Sequence, residues 1–129
     1  MKIALAGMAI VGVATVWDGS YTTDQAKRGQ DLYLQQCGGC HGANLEGAEI
    51  GSSLTDDTFK SKWDGRSLGD LFEIIRVTMP QDQPGSLTRQ QTADVVAFLL
   101  SREGFPAGQT EIAAGTGVLN TIRFLAKKP

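Results

Sequence analysis

The 129-residue chain has one histidine, two cysteines and two tryptophans, and only four prolines. These scarcities exclude several kinds of site. One histidine and two cysteines supply three N/S ligands, one short of the four that a structural zinc site needs. Charge of one sign is also lacking. Twelve basic and 14 acidic residues leave a net charge of −2, whereas a domain that grips a phosphate backbone is expected to be basic. Nucleic-acid binding is therefore set aside. No repeat, low-complexity tract or convincing strand pattern is present. The size is that of one small domain, and a chain this short buries a modest share of its surface. A large apolar cofactor would add core volume that the polypeptide lacks.

The longest apolar run, Ile3 to Val16, follows Lys2, and no acidic residue occurs before Asp18. As a helix its 14 residues would span roughly 21 Å, short of a ~30 Å hydrocarbon core. One positive charge, this run, and the small residues Gly12 and Ala14 at −3 and −1 have the pattern of an export signal over residues 1–14. A membrane anchor and a buried helix are the alternatives.

Beyond that segment the periodicity predicts an all-α fold. A helix is expected at about 23–37, with Thr22 and Gln25 at capping-box spacing and Ala26, Gly29, Tyr33 and Cys37 on one face. Residues 42–64 are rich in Gly, Ser, Asp and Thr and read as loop. A second helix is expected at about 67–77, capped by Ser67 and Asp70, with Leu68, Leu71, Phe72 and Ile75 as its apolar stripe; Pro80 cannot continue it. A third starts near Thr88, with capping-box spacing to Gln91 and an apolar side of Val95, Val96, Phe98, Leu99 and Leu100. Gly104 and Pro106 end it. Val118 to Leu125 is a short fourth candidate, with Val118, Ile122 and Leu125 on one side. The resulting division is a signal at 1–14, a domain at 15–104 and an extension at 105–129 packed on that domain.

The scarce residues are clustered. Cys37-Gly38-Gly39-Cys40-His41 holds every cysteine and histidine of the chain. C-x-x-C-H is the attachment signature of c-type haem. Each thiol adds across one vinyl group, and two intervening residues let one turn place both sulfurs along one porphyrin edge. The adjacent histidine then reaches the iron. A thioredoxin-type dithiol would want a βαβ context, and a plain disulfide would leave His41 without a role.

No second histidine is available for the other axial position, and Met/His is an established haem ligation. Met1 and Met8 lie in the signal-like segment, which leaves Met79, before Pro80 at the end of a helix. Its thioether is a soft ligand suited to Fe(II). The alternative is that Met79 only fills core space.

From Tyr21 to Ser101 the chain resembles the class I, mitochondrial-type cytochromes c. The residues that carry the likeness are Gly29 and Tyr33 before CGGCH, the helix leading to Met79-Pro80, and a last helix with Val95 and Phe98. The resemblance implies that the first and last helices cross, with Gly29 near Phe98. One departure is visible. The family often has Gly-Pro-x-Leu after the motif, the proline carbonyl accepting from the proximal histidine. Here the segment is Gly51-Ser52-Ser53-Leu54, which keeps a carbonyl at Ser52 without proline's fixed φ.

A narrower likeness lies in Val16-Trp17-Asp18-Gly19, in the stretch from Trp63-Asp64-Gly65-Arg66 to Phe72, and in Gly104-Phe105-Pro106-Ala107-Gly108. These are similar to bacterial periplasmic monohaem cytochromes found beside quinoprotein dehydrogenases. The resemblance implies a PQQ-type dehydrogenase as donor and a terminal oxidase or another cytochrome as acceptor. Trp63 and Arg66 are either donors to the haem propionates or a core tryptophan and a surface arginine.

The expectation is thus a periplasmic single-electron carrier with no catalytic residue. Cys37 and Cys40 would tether one haem c, and His41 and Met79 would bind iron. Two rivals remain: a haem enzyme or gas sensor with a dissociable Met79, and a fixed cytochrome subunit of a larger oxidoreductase. Asp56, Asp57, Asp70, Glu73 and Asp82 precede the last helix and no ring of lysines is evident, so docking is expected to be only weakly steered. Membrane contact is expected only if the N-terminal segment is retained.

Overall fold

Each long helix begins at a hydroxyl side chain that accepts from a free backbone N–H of its first turn. Residues 14–129 are the ones the structure, a computed structural model, describes; the export segment expected at 1–14 lies outside them except for Ala14. Helix α1 spans Thr23–Gln36, α2 Gly38–His41, α3 Asp57–Trp63, α4 Leu68–Thr78, α5 Arg89–Arg102 and α6 Thr116–Leu119. No strand occurs among the described residues, only isolated bridges that join Arg123 to Thr15 and to Ser67. None of the described helices is long and apolar enough to cross a membrane. The fold is all-α, as the periodicity predicts.

The three expected long helices are present within a residue or two of their expected ends. Thr88 and Gln91 form the full reciprocal capping box. At α1 only half of the box exists. Thr22 Oγ1 accepts from Gln25 N at 3.1 Å, but the Gln25 side chain turns inward instead of back to the cap. Its Oε1 accepts from Ile112 N at 2.7 Å, and its Nε2 donates to the Ile112 carbonyl at 3.1 Å. A buried tertiary pairing has displaced the local one.

Two local expectations are corrected. The segment read as loop contains α3. Asp56 caps it, accepting from Phe59 N at 2.8 Å, and Lys60 and Lys62 complement the dipole of its last turn. The expected helix from Val118 to Leu125 is instead the single turn α6 followed by an extended strap. Ile122 and Phe124 are buried in alternation along it, while Val118 is 60% exposed. The strap's backbone groups bond to the chain beneath them, which satisfies them without a helix.

Helices α1 and α5 form the main crossing. A side chain at Gly29 would overlap the Asp94 carbonyl of α5, and the Gly29 Cβ position lies 3.0 Å from Phe98 Cβ. Tyr33 and Phe98 stack beside this contact, ring centroids 5.3 Å apart. Helix α5 is buried on all sides from Thr92 to Leu100, not on one apolar side alone. Its Asp94 is tolerated there because Gln25, Arg28 and Gln90 all donate to it. Arg28 also pairs with Glu111 at 2.7 Å and so ties the tail to the crossing.

At the end of α5 the Glu103 side chain is only 1% exposed, and neither carboxylate oxygen has a hydrogen-bond partner among the described residues. Lys60 Nζ is 3.9 Å away. Burial pushes the Glu103 pKa up to about 7, against the pull of Lys60, with the Asp56 charge adding to the rise. The folded state therefore holds a proton that the unfolded chain releases near its ordinary value of 4.5. Stability is expected to fall as pH rises between these two values and to level off above the higher one. Glu103→Gln is expected to remove that slope and to stabilise the protein near pH 8 by on the order of 1 kcal/mol. Urea midpoints compared at about pH 5 and about pH 8 check this.

Candidate cofactor site

Cys37 is the hinge between α1 and α2. Its N–H donates to the Tyr33 carbonyl at 2.8 Å, closing α1, and its own carbonyl accepts from His41 N at 3.0 Å, opening α2. The single turn of α2 thus carries both cysteines and the histidine. His41 Nδ1 lies 2.7 Å from the Ser52 carbonyl oxygen. A carbonyl only accepts, so Nδ1 carries the proton and Nε2 keeps its lone pair for a metal. The bond that proline provides in the resembling family is therefore made here by a serine carbonyl.

Gly51 makes this approach possible. A Cβ on it would overlap the Cys40 carbonyl oxygen and stand 3.0 Å from His41 Nδ1. Gly51→Val is expected to push residues 51–53 away and break the His41–Ser52 bond. A histidine without that acceptor is a less basic ligand, so the reduction potential is expected to rise. Potentiometric titration of the variant checks the sign.

Cys37, Cys40, His41 and Met79 all line one cavity of about 940 Å³. That volume is at the upper end for small-molecule and cofactor sites. Leu54, Phe59, Trp63, Leu71, Val95 and Leu99 give it largely apolar walls. Tyr33 also borders it and donates to the Gly42 carbonyl at 2.6 Å. Burial pushes the Tyr33 phenol up to about 12, so it stays neutral. Met79 ends α4 with extended backbone and is partly buried against the core.

The donor set fits haem c. Among the described residues no group of three or more His, Cys, Asp and Glu side chains is placed to hold a bare ion. Two thiols and one imidazole on one turn, facing an apolar cavity, instead suit attachment along a flat ring. Burial pushes the Cys37 thiol up to about 11, with the Cys40 charge adding to the rise. Dithiol exchange needs the opposite shift.

The two propionate candidates are separated by the structure. Trp63 is 3% exposed and borders the cavity, and its indole N–H donates to no described residue. Arg66 is not among the lining residues. Its guanidinium stacks over the Trp63 ring, 4.3 Å from the centroid, and pairs with Asp70 at 3.5 Å. Lys62 does line the cavity, yet sequence reasoning missed it, since a Lys-Ser-Lys run reads as solvated surface. At the mouth Ile50 is 80% exposed and Ile74 is 42% exposed.

Sequence comparison with known proteins agrees with this chemistry. The family model for cytochrome c oxidase, cbb3-type, subunit III matches residues 24–99. Cytochrome c-551 of Bacillus subtilis is 34% identical over 85 residues, covering 66% of this chain and 70% of that protein. The cbb3-type cytochrome c oxidase subunit CcoP of an Azospirillum species is 28% identical over 106 residues, covering 70% of this chain and 35% of that protein. Among solved structures, the sulfane dehydrogenase SoxCD of Paracoccus pantotrophus aligns with a TM-score of 0.49 at 21% identity, over 68% of this chain and 52% of its own. The chain thus spans about a third of CcoP and about half of the SoxCD chain.

Proposed function

Since the chain is a class I monohaem cytochrome c, an electron-transfer protein with one covalently attached haem c, we propose that Cys37 and Cys40 form the thioether links and that His41 and Met79 are the axial ligands. In this reading the protein takes single electrons from a dehydrogenase, a PQQ-type enzyme by resemblance, and passes them to a terminal oxidase or another cytochrome. When bound, the haem supplies one centre that alternates between Fe(III) and Fe(II). The observation that carries the reading is the meeting of all four side chains at one apolar cavity, with His41 Nε2 free to bind.

The residues then have separate tasks. Cys37 and Cys40 fix the ring edge. Ser52, through Nδ1, holds the imidazole in one tautomer and orientation. Met79 would supply the second iron ligand, which would leave no position for a substrate. Leu54, Leu71 and Val95 exclude water from the pocket. Trp63 and Lys62 are donors available to a propionate. Residues 15–104 make up the electron-carrying domain and 105–129 an extension packed on it. Residues 1–14 direct export, and the protein works in the periplasm, where c-type haem is attached.

The alignment with CcoP favours one further reading, a fixed subunit of a larger oxidoreductase. Copurification from the native source distinguishes the two, because a carrier separates from its partners on size exclusion and a subunit does not. Intact mass under denaturing conditions tests the attachment. The chain is expected to carry one haem, and the adduct is expected to vanish when Cys37 and Cys40 are both replaced by serine. An unchanged adduct overturns the assignment.

The cavity mouth combines apolar Ile50 and Ile74 with charges of both signs, Asp56, Lys62 and Asp82. Partner association is therefore expected to be weakly steered, its rate changing by less than about tenfold from low to high salt. A steep dependence measured by stopped flow would contradict this.

A further inference from the structure

The C-terminal strap is bound to the one corner of the fold that presents Trp63 to the cavity. That corner, residues 64–67, joins α3 to α4. Gly65 N donates to the Phe124 carbonyl at 2.7 Å, and Phe124 N donates to the Arg66 carbonyl at 2.8 Å. Leu68 N donates to the Ile122 carbonyl at 2.8 Å, and Ala126 N donates to Asp64 Oδ1 at 2.9 Å. Within the corner, Arg66 N bonds locally to the Trp63 carbonyl at 2.9 Å, while Gly65 N and the Arg66 carbonyl are satisfied by the strap.

Side chains repeat the pattern. Phe124 is 1% exposed and meets Phe59 edge-on, centroids 6.3 Å apart. Phe59 lines the cavity and packs against Trp63 at 6.4 Å. Phe105 closes on Phe124 from behind at 5.3 Å. The strap is held on its outer side too. Arg123 N donates to the Ala14 carbonyl at 2.9 Å, Val16 N to the Arg123 carbonyl at 3.0 Å, and Trp17 Nε1 to the Leu125 carbonyl at 2.9 Å. Asp64, within the corner, and Phe124, on the strap, join the two segments, yet neither reaches the lining of the cavity.

We infer that the strap is a positioning device for the cofactor: Phe124 and the Asp64–Ala126 bond lock the α3–α4 corner so that the Trp63 indole is kept at the cavity wall, where its N–H would donate to a haem propionate. The inference rests on the proposed haem site. An acid that accepts a hydrogen bond in its ionised form releases its proton more readily, so a locked Trp63 keeps a propionate ionised. Loosening the corner weakens that bond, and the propionate then takes up its proton at higher pH. Because the ring's net charge depends on that proton, the shift is readable in the dependence of potential on pH.

The test compares three full-length holoprotein variants. Asp64→Ala removes one hydrogen bond and leaves the strap in place. Phe124→Leu keeps an apolar side chain but loses the edge-on ring contacts. Ile112→Ala removes buried side-chain packing from the tail away from the corner and keeps the backbone bonds of Ile112 to Gln25 on α1, and neither residue lines the cavity. Midpoint potential is followed against pH by spectroelectrochemistry, and urea midpoints give the stability of each variant. Asp64→Ala and Phe124→Leu are expected to move the propionate-linked break upward by about one pH unit, the tenfold change expected for a charge-assisted hydrogen bond. Ile112→Ala is expected to leave the break in place at a similar loss of stability. An unmoved break in Asp64→Ala and Phe124→Leu overturns the inference, as does an equal movement in all three. The haemochrome spectrum and denatured mass of the wild-type sample report on the haem site itself. A sample with no covalent haem sinks the site assignment, whereas a normal haem with unmoved breaks sinks only the positioning role.

Discussion

Met79→Leu is expected to lower the reduction potential by on the order of 0.1 V or more, within the ~0.8 V that axial ligands span. Leucine keeps nearly the same volume and removes the sulfur, so packing is little disturbed; such swaps usually cost under about 1.5 kcal/mol. Met79 is partly buried and closes α4 through its N–H to the Ile75 carbonyl at 3.0 Å, a bond that leucine retains. What changes is the soft thioether, which favours Fe(II). The Met–Fe(III) charge-transfer band is expected to disappear, and the reduced variant is expected to bind CO where wild type does not. If band and potential both survive, Met79 is a packing residue. The gas-sensor reading gains ground if wild type itself lacks the band and binds CO.

Gly29→Ala is expected to destabilise the protein by about 3 kcal/mol and to lower Tm by on the order of 10 °C. Two effects oppose each other here. Alanine favours a helix interior over glycine by ~0.8–1 kcal/mol. Against that, the new Cβ would overlap the Asp94 carbonyl, which is backbone and cannot rotate away. The helices must separate, which strains the Arg28–Asp94 pair at 3.2 Å and the Tyr33–Phe98 contact. Clash outweighs propensity because α5 is buried on every side and has nowhere to move. Gly117→Ala in α6 is the control. A Cβ there meets nothing within 4 Å, so the substitution is expected to be neutral or stabilising by up to ~1 kcal/mol. Thermal denaturation of both variants decides the sign.

The local expectations that survived share one property: their determinants lie within a few residues of one another. The N-caps at Thr22, Ser67 and Thr88 are contacts over three residues. The attachment motif is one turn long, so its spacing carries its chemistry. Where local signals failed, a distant partner had taken over. Gln25 left its capping box for Ile112, 87 residues away. The stretch from Val118 to Leu125 has helical spacing, but its backbone found acceptors and donors at Gly65, Arg66 and Leu68. Helix α3 was hidden because seven residues are too few for a periodic pattern to stand out from a polar loop.

By itself the sequence determined the cofactor class, the all-α fold and the short list of candidate ligands, since scarcity left one histidine and one methionine to choose from beyond the N-terminal segment. Only the tertiary structure decided which groups share the cavity. It brought Met79 to the cavity of His41, kept Trp63 there and left Arg66 outside, and put a serine carbonyl on Nδ1. It also turned the tail into a strap on the α3–α4 corner. The physical reason is common to all of these. Spacing along a chain encodes contacts over one helical turn, whereas a cavity wall is assembled from segments whose separation in sequence carries no trace of their closeness in space.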